Sequence, residues 1–209
     1  MTTNNKKGTA GTDSAKSLDK IIDAAFQRAT ETKWCKLSLY EIAEAADLSL
    51  SELCAHVSSK SDILAAYGRR VDSQVLKNVG EPDPAVPAKD RIFDVVMERF
   101  ELMNKDREAL IGIIKSIDPD PFEVLGNALR LRNTITVMLE GAGLKTTGFS
   151  GKFRQKGLGA IYLLTLREWM KDDSPDLSST MVTLDKYLKR AEQAAGTLGL
   201  GKNEEAVIN

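Results

Sequence analysis

The chain holds one histidine, His56, and two cysteines, Cys35 and Cys54. No Cys/His cluster can be assembled from these, which rules out most metal sites. A nucleophilic triad would have to use His56 as its imidazole. Asp and Glu number 30, but no carboxylate stands isolated in an apolar run as a tuned acid would. Gly151-Lys152 has Thr146 where a phosphate-binding loop needs its first glycine. These residues argue against an enzyme, and no cofactor or metal is expected.

The informative spacings are those of helix caps. Ser38-Leu39-Tyr40-Glu41 and Ser49-Leu50-Ser51-Glu52 are both S-x-x-E capping boxes. In each, the Ser oxygen accepts from a free backbone N–H while the Glu reaches back to the cap. Ser59-Lys60-Ser61-Asp62 is a weaker version. The caps predict short helices at about 39–46 and 50–57, then a longer one at about 60–79. A helix at about 17–32 precedes them, with Ile21, Ile22, Ala25, Phe26 and Ala29 on one face. Glu81-Pro82-Asp83-Pro84-Ala85-Val86-Pro87 cannot continue a helix and reads as a linker. Further helices are expected at about 88–105, 107–117, 121–141, 150–172 and 178–197. No run alternates apolar and polar β-branched residues, so no strand is expected. The fold class is all-α, with about nine helices: a three-helix N-terminal head and a larger C-terminal helical domain.

The boundaries expected are a disordered tail at 1–16, a helix-turn-helix domain at 17–64, a ligand-binding and dimerisation domain at 65–200, and a frayed tail at 201–209. No window approaches ~18 consecutive apolar residues, so no membrane span is expected. Free thiols and no signal-like stretch point to the cytoplasm. Lys plus Arg is 29 against 30 acidic residues, so any nucleic-acid role must come from a local patch.

Two short helices joined by a tight turn are a helix-turn-helix candidate. The full stretch is Lys20-Ile-Ile-Asp-Ala-Ala-Phe26, Lys33-Trp34, Ser38 to Val57, and Ser59-Lys60-Ser61-Asp62-Ile63-Leu64. It resembles the N-terminal pattern of the TetR family of one-component bacterial regulators. That pattern is an "ILDAA" helix, a glycine-aromatic turn, "TS-x-x-x-IA-x-x-AGVS", a "LY-x-HF" recognition helix and "SK-x-x-LL". The resemblance implies a homodimer that binds double-stranded operator DNA through the head and a small hydrophobic effector through the body. It implies recognition by Leu50, Ser51, Glu52, Ala55 and His56, with Ser38, Ser49 and Lys60 on phosphates.

The departures from that pattern are electrostatic. Residues 38–57 contain no Lys or Arg, but do contain Glu41, Glu44, Asp47 and Glu52. DNA affinity rests on cations that neutralise phosphates. Cys54 stands where the family has a phosphate-contacting Tyr, and Lys33 where it has glycine. Lys33, Lys36, Arg69, Arg70 and the early lysines remain as possible contacts.

The segment from Arg154 through Tyr162, Trp169, Asp172, Ser174 and Thr180 to Leu184-Asp185 resembles a second group. These are the TetR-fold accessory proteins of ubiquinone biosynthesis, which bind lipids rather than DNA. The alternative this implies is a lipid- or isoprenoid-binding protein with lost or weak DNA binding. Candidate ligand-binding residues are Phe93, Met97, Phe100, Met103, Met138, Tyr162, Leu166 and Trp169, because flexible Met with aromatics can line an adaptable cavity. Ordinary core packing is the competing explanation for each. Met181, Leu184, Leu188, Ala191, Ala195 and Leu198 form a bundle-type seam on the last helix. A dimer through the helices at about 150–172 and 178–197 would cover that seam; packing within one chain is the other reading.

Overall fold

The computed structural model describes residues 7–116 and 121–197. Nine α-helices run along them: α1 Lys7–Glu31, α2 Leu39–Ala45, α3 Leu50–Cys54, α4 Lys60–Val79, α5 Ala88–Asn104, α6 Arg107–Lys115, α7 Pro121–Gly141, α8 Gly148–Trp169 and α9 Ser178–Thr197. A 3-10 turn, Trp34–Lys36, joins α1 to α2. The architecture is all-α.

Several helix ends differ from expectation, α8 for one spanning Gly148–Trp169 rather than 150–172, and two of the differences lie in the N-terminal head. The helix expected from about residue 17 begins at Lys7, so the predicted disordered tail is helical over Lys7–Lys16. Once the buried stretch around Ile21 and Ile22 nucleates α1, each further residue adds one backbone bond, and Thr- and Ser-rich sequence can follow. Residues 1–6 and the C-terminal tail at 201–209 lie outside the described residues. The recognition helix, expected to 57, ends at Cys54 with Ala55 as its C-cap.

The chain forms two compact units. Among the described residues, one comprises those up to Arg70 together with those between Asp106 and Asn127; the other comprises Val71–Lys105 and those from Ala128. The boundary expected near residue 64 therefore falls within α4, and α6 belongs with the N-terminal helices. The reason is packing: α6 lies against α1, and Gly112 brings the two so close that a Cβ there would sit 3.5 Å from the Ala29 carbonyl oxygen.

The core of the first unit is built by Ile21, Ile22 and Phe26 of α1, Ile42 of α2, Leu53 of α3 and Ile63 of α4. Each such side chain contributes roughly 1.5–3 kcal/mol on burial. Phe26 stacks on Tyr67 with centroids 4.2 Å apart. In the second unit α9 packs on α5 and α8. Its core centres on Phe100, Ile135, Met138, Trp169 and Leu184, all with almost no exposed surface. Leu184 and Leu188 of the expected α9 seam are thus buried within their own chain, while Leu198 lies outside the described residues. Met181 and Ala191 of the same seam are exposed, as are Phe149, Phe153, Leu163, Leu164 and Val182 of α8 and α9.

The turn from α8 to α9 is organised by Asp172. Its carboxylate accepts from Ser174 N and Oγ at 3.2 and 2.5 Å, and from Thr180 N and Oγ, both at 2.7 Å. Asp172 and Thr180 are buried. At the other end of α8, Gly151 lies directly against the Thr146 backbone, so any Cβ at 151 would collide with the Thr146 carbonyl group.

Candidate functional site

The helix-turn-helix in the first unit is held by its two capping boxes. Ser38 N and Oγ donate to Glu41 Oε2 at 2.8 and 2.6 Å, and Ser38 Oγ accepts from Glu41 N at 3.2 Å. Ser49 and Glu52 repeat the arrangement at 2.8, 2.7 and 3.2 Å. The Ser hydroxyl and backbone hydrogen bonds hold both Glu carboxyls below the usual range, so both are ionised at neutral pH. The turn between the helices passes through Asp47, whose φ of 56° is left-handed. Asp tolerates this region better than most residues, but glycine is the residue it favours.

Leu53 anchors α3 to the core, with no exposed surface. Leu50 is 42% exposed, and Ser51, Glu52, Cys54 and Ala55 are exposed too. His56 is half-buried, with Ser14 Oγ 3.5 Å from its Nδ1. The structure thus leaves Leu50, Ser51, Glu52 and Ala55 exposed along α3 and its C-cap. Their chemistry is apolar contact, one hydroxyl, and acceptance by a carboxylate already bound to Ser49.

Lys60 has a different setting from the one its sequence position implies. Its Nζ donates to the Trp34 carbonyl at 2.5 Å and to the Cys35 carbonyl at 3.4 Å, and lies 5.5 Å from the Trp34 ring centroid. It ties the start of α4 to the 3-10 turn. Ser38 and Ser49 likewise have their hydroxyls engaged by Glu41 and Glu52. The cations that stand exposed beside the motif are Lys33 and Lys36.

In the second unit the aromatic and Met candidates are packed together. Phe100 stacks on Tyr162 with centroids 5.2 Å apart and lies 6.0 Å from Trp169. Met97, Met103 and Met138 are buried, whereas Phe93 and Leu166 are half-buried. The Tyr162 hydroxyl accepts from Arg99 Nε at 3.2 Å and lies 3.5 Å from Met103 Sδ. Arg99 is itself buried and pairs with Asp72. Burial pushes the Asp72 carboxyl up, against the lowering by Arg99 and a hydrogen bond from Thr134.

A cavity of about 240 Å³ opens elsewhere in this unit, at the N-terminal end of α5 between α8 and α9. Ile92, Phe153, Gly157, Leu158, Ile161 and Leu188 are among its walls. None of the eight ligand-binding residues expected from sequence lines it. Phe153, Leu158 and Ile161, spaced five and three along α8, were the available signal. Sequence gave no way to separate such wall residues from core. Among the described residues, no group of three or more His, Cys, Asp or Glu could hold a metal ion, and no helix is long and apolar enough to cross a membrane.

No family model matches the chain, and no curated protein matches it by sequence. Solved structures do. A TetR transcriptional regulator from Nitrosomonas europaea ATCC 19718 superposes with a TM-score of 0.68 at 25% identity, over 84% of this chain and 98% of that one. A TetR transcriptional regulator from Rhodococcus sp. RHA1 gives 0.62 at 13% identity, over 84% and 96%. A TetR-family regulator from Streptomyces coelicolor gives 0.56 at 13% identity, over 88% of each chain. The chain has the fold of TetR-family transcriptional regulators across most of its length, and that family is non-catalytic.

Proposed function

We propose that this protein is a TetR-type one-component regulator that binds operator DNA as a homodimer and responds to a small apolar molecule. The observation that carries this reading is the helix-turn-helix itself. Leu53 and the Ser49–Glu52 capping box hold α3 with Leu50, Ser51, Glu52 and Ala55 exposed to solvent, within a chain that follows a regulator's fold over 84% of its length. In the major groove, Leu50 and Ala55 would meet thymine methyl groups, and Glu52 would accept from a cytosine amino group. Lys33 and Lys36, rather than Lys60, would supply phosphate contacts. Exposed Leu163, Leu164, Met181 and Val182 support pairing of α8 and α9 with a second copy.

The test is fluorescence anisotropy with DNA flanking the protein's own gene, at low and near-physiological salt. Binding that survives salt and random competitor DNA is expected. Binding that salt erases, or none, overturns the reading.

A second reading is favoured by one observation, the lack of any Lys or Arg in residues 38–57. On this reading the chain is a lipid- or isoprenoid-binding accessory protein on the same scaffold. Native mass spectrometry of gently purified protein would then find an apolar passenger. Repeated preparations without one, and no uptake of added isoprenoid, would remove it.

A further inference from the structure

We infer that the α5–α8–α9 cavity, rather than the aromatic and Met cluster around Phe100, is the ligand site of the second unit, and that its ligand is an uncharged apolar small molecule. As an effector site it rests on the regulator reading above; as a binding site it stands alone.

In the Phe100 cluster Met97, Phe100, Met103, Met138 and Trp169 are all buried, with Phe100 stacked on Tyr162 and 6.0 Å from Trp169, as core side chains are. The cavity does offer room. Its volume of about 240 Å³ exceeds the ~150 Å³ at which a dry apolar cavity takes up benzene. Its walls are apolar, and Phe153 stands at it still 47% exposed. Gly157 is the second observation. It lies in the interior of α8, where glycine weakens a helix, yet a Cβ built on it meets nothing within 4 Å. The missing side chain leaves space that no neighbour uses.

The charges nearby select the ligand class. Lys89 borders the cavity, but its Nζ is already 2.8 Å from Asp90 and 3.9 Å from Asp185. Arg154 donates to the Lys145 carbonyl at 3.1 Å. Glu192 adds a carboxylate to the same wall. An anionic head group would have to displace Asp90 or Asp185 from Lys89 and sit beside Glu192. An uncharged molecule displaces nothing.

The experiment uses the full chain and the uncharged fluorophore N-phenyl-1-naphthylamine, titrated without DNA. Saturable binding at one probe per chain is expected, displaced by decan-1-ol more readily than by decanoate at a pH of about 8, where the acid is ionised. Gly157→Leu should weaken probe binding by at least about tenfold while leaving Tm equal or higher, and Gly157→Ala should bind nearly as wild type. If Gly157→Leu lowers Tm, Ala191→Phe on the α9 wall decides in its place by the same loss. Absence of saturable binding, unchanged binding in the filled variant, or preference for decanoate overturns the inference. So does a change of oligomeric state in Gly157→Leu, which would give the cavity to a second copy. Probe binding by a protein that fails the anisotropy test supports this site and refutes only the regulator reading.

Discussion

Replacing Asp172 by Asn should remove a pH-dependent clamp from the α8–α9 turn. Desolvation alone would raise the Asp172 carboxyl. Hydrogen bonds from Ser174 and Thr180 outweigh it and bring it from 3.8 down to about 2. The folded pKa is depressed, so the stabilisation is fully present above the unfolded pKa and is lost as pH falls through the folded one. Nearly two units at about 1.4 kcal/mol each, trimmed for screening at a surface turn, give about 2 kcal/mol near neutral pH. Asn keeps the shape but presents an NH2 where four donors converge, so one or more N–H or O–H groups lose their acceptor. Urea unfolding followed by circular dichroism at pH values from about 7 down to 2.5 would measure it. The gap between wild type and Asp172→Asn should be about 2 kcal/mol at pH 7 and shrink steadily below about pH 4. A gap that stays constant over this range would refute the charge-based account, and no gap at all would refute the clamp.

Further expectations follow from other contacts. Arg99→Met should cost about 3–5 kcal/mol by stranding the buried Asp72, and adding Asp72→Leu should recover most of it; denaturant midpoints of the single and double variants check this. Gly151→Ala should destabilise by roughly 3 kcal/mol, since its Cβ meets the Thr146 backbone rather than a yielding side chain. Gly68→Ala, mid-helix in α4 with nothing within 4 Å, should instead gain about 0.5–1 kcal/mol in the same assay. Asp47→Gly should stabilise by roughly 0.5–1 kcal/mol by relieving the left-handed turn, and should tighten DNA binding at low salt by removing a negative charge.

What was legible in the sequence was what depends on neighbours in sequence. The Ser38–Glu41 and Ser49–Glu52 boxes join residues three apart, and both form in the structure. The Pro-rich segment ended α4 as expected, with the helix stopping at Val79. The start of α1 was missed because Thr, Gly and Ser signal solvent exposure more strongly than they signal a lack of helix. The 3-10 turn at Trp34–Lys36 left no periodic trace.

Long-range chemistry was not legible. Lys60 reads as a free cation until the fold sets its ammonium on a carbonyl 26 residues away. Phe100 and Phe153 are the same residue type at helical spacings, yet one is fully buried and the other lines a cavity. The C-terminal block carries a structural message. Asp172 binds Ser174 and Thr180, and Trp169 and Leu184 are fully buried beside that turn in sequence. Those residues join two helices, so the pattern has a structural role whatever the unit binds.

The chain's two tryptophans fall one in each unit, Trp34 near the Lys60 ammonium and Trp169 in the core with Phe100. Each unit therefore carries its own optical label. In a Trp34→Phe protein the tryptophan emission belongs to the second unit alone, and in Trp169→Phe to the first. A red shift then names the unit that admits water first, whether heat, acid or a bound molecule is the cause.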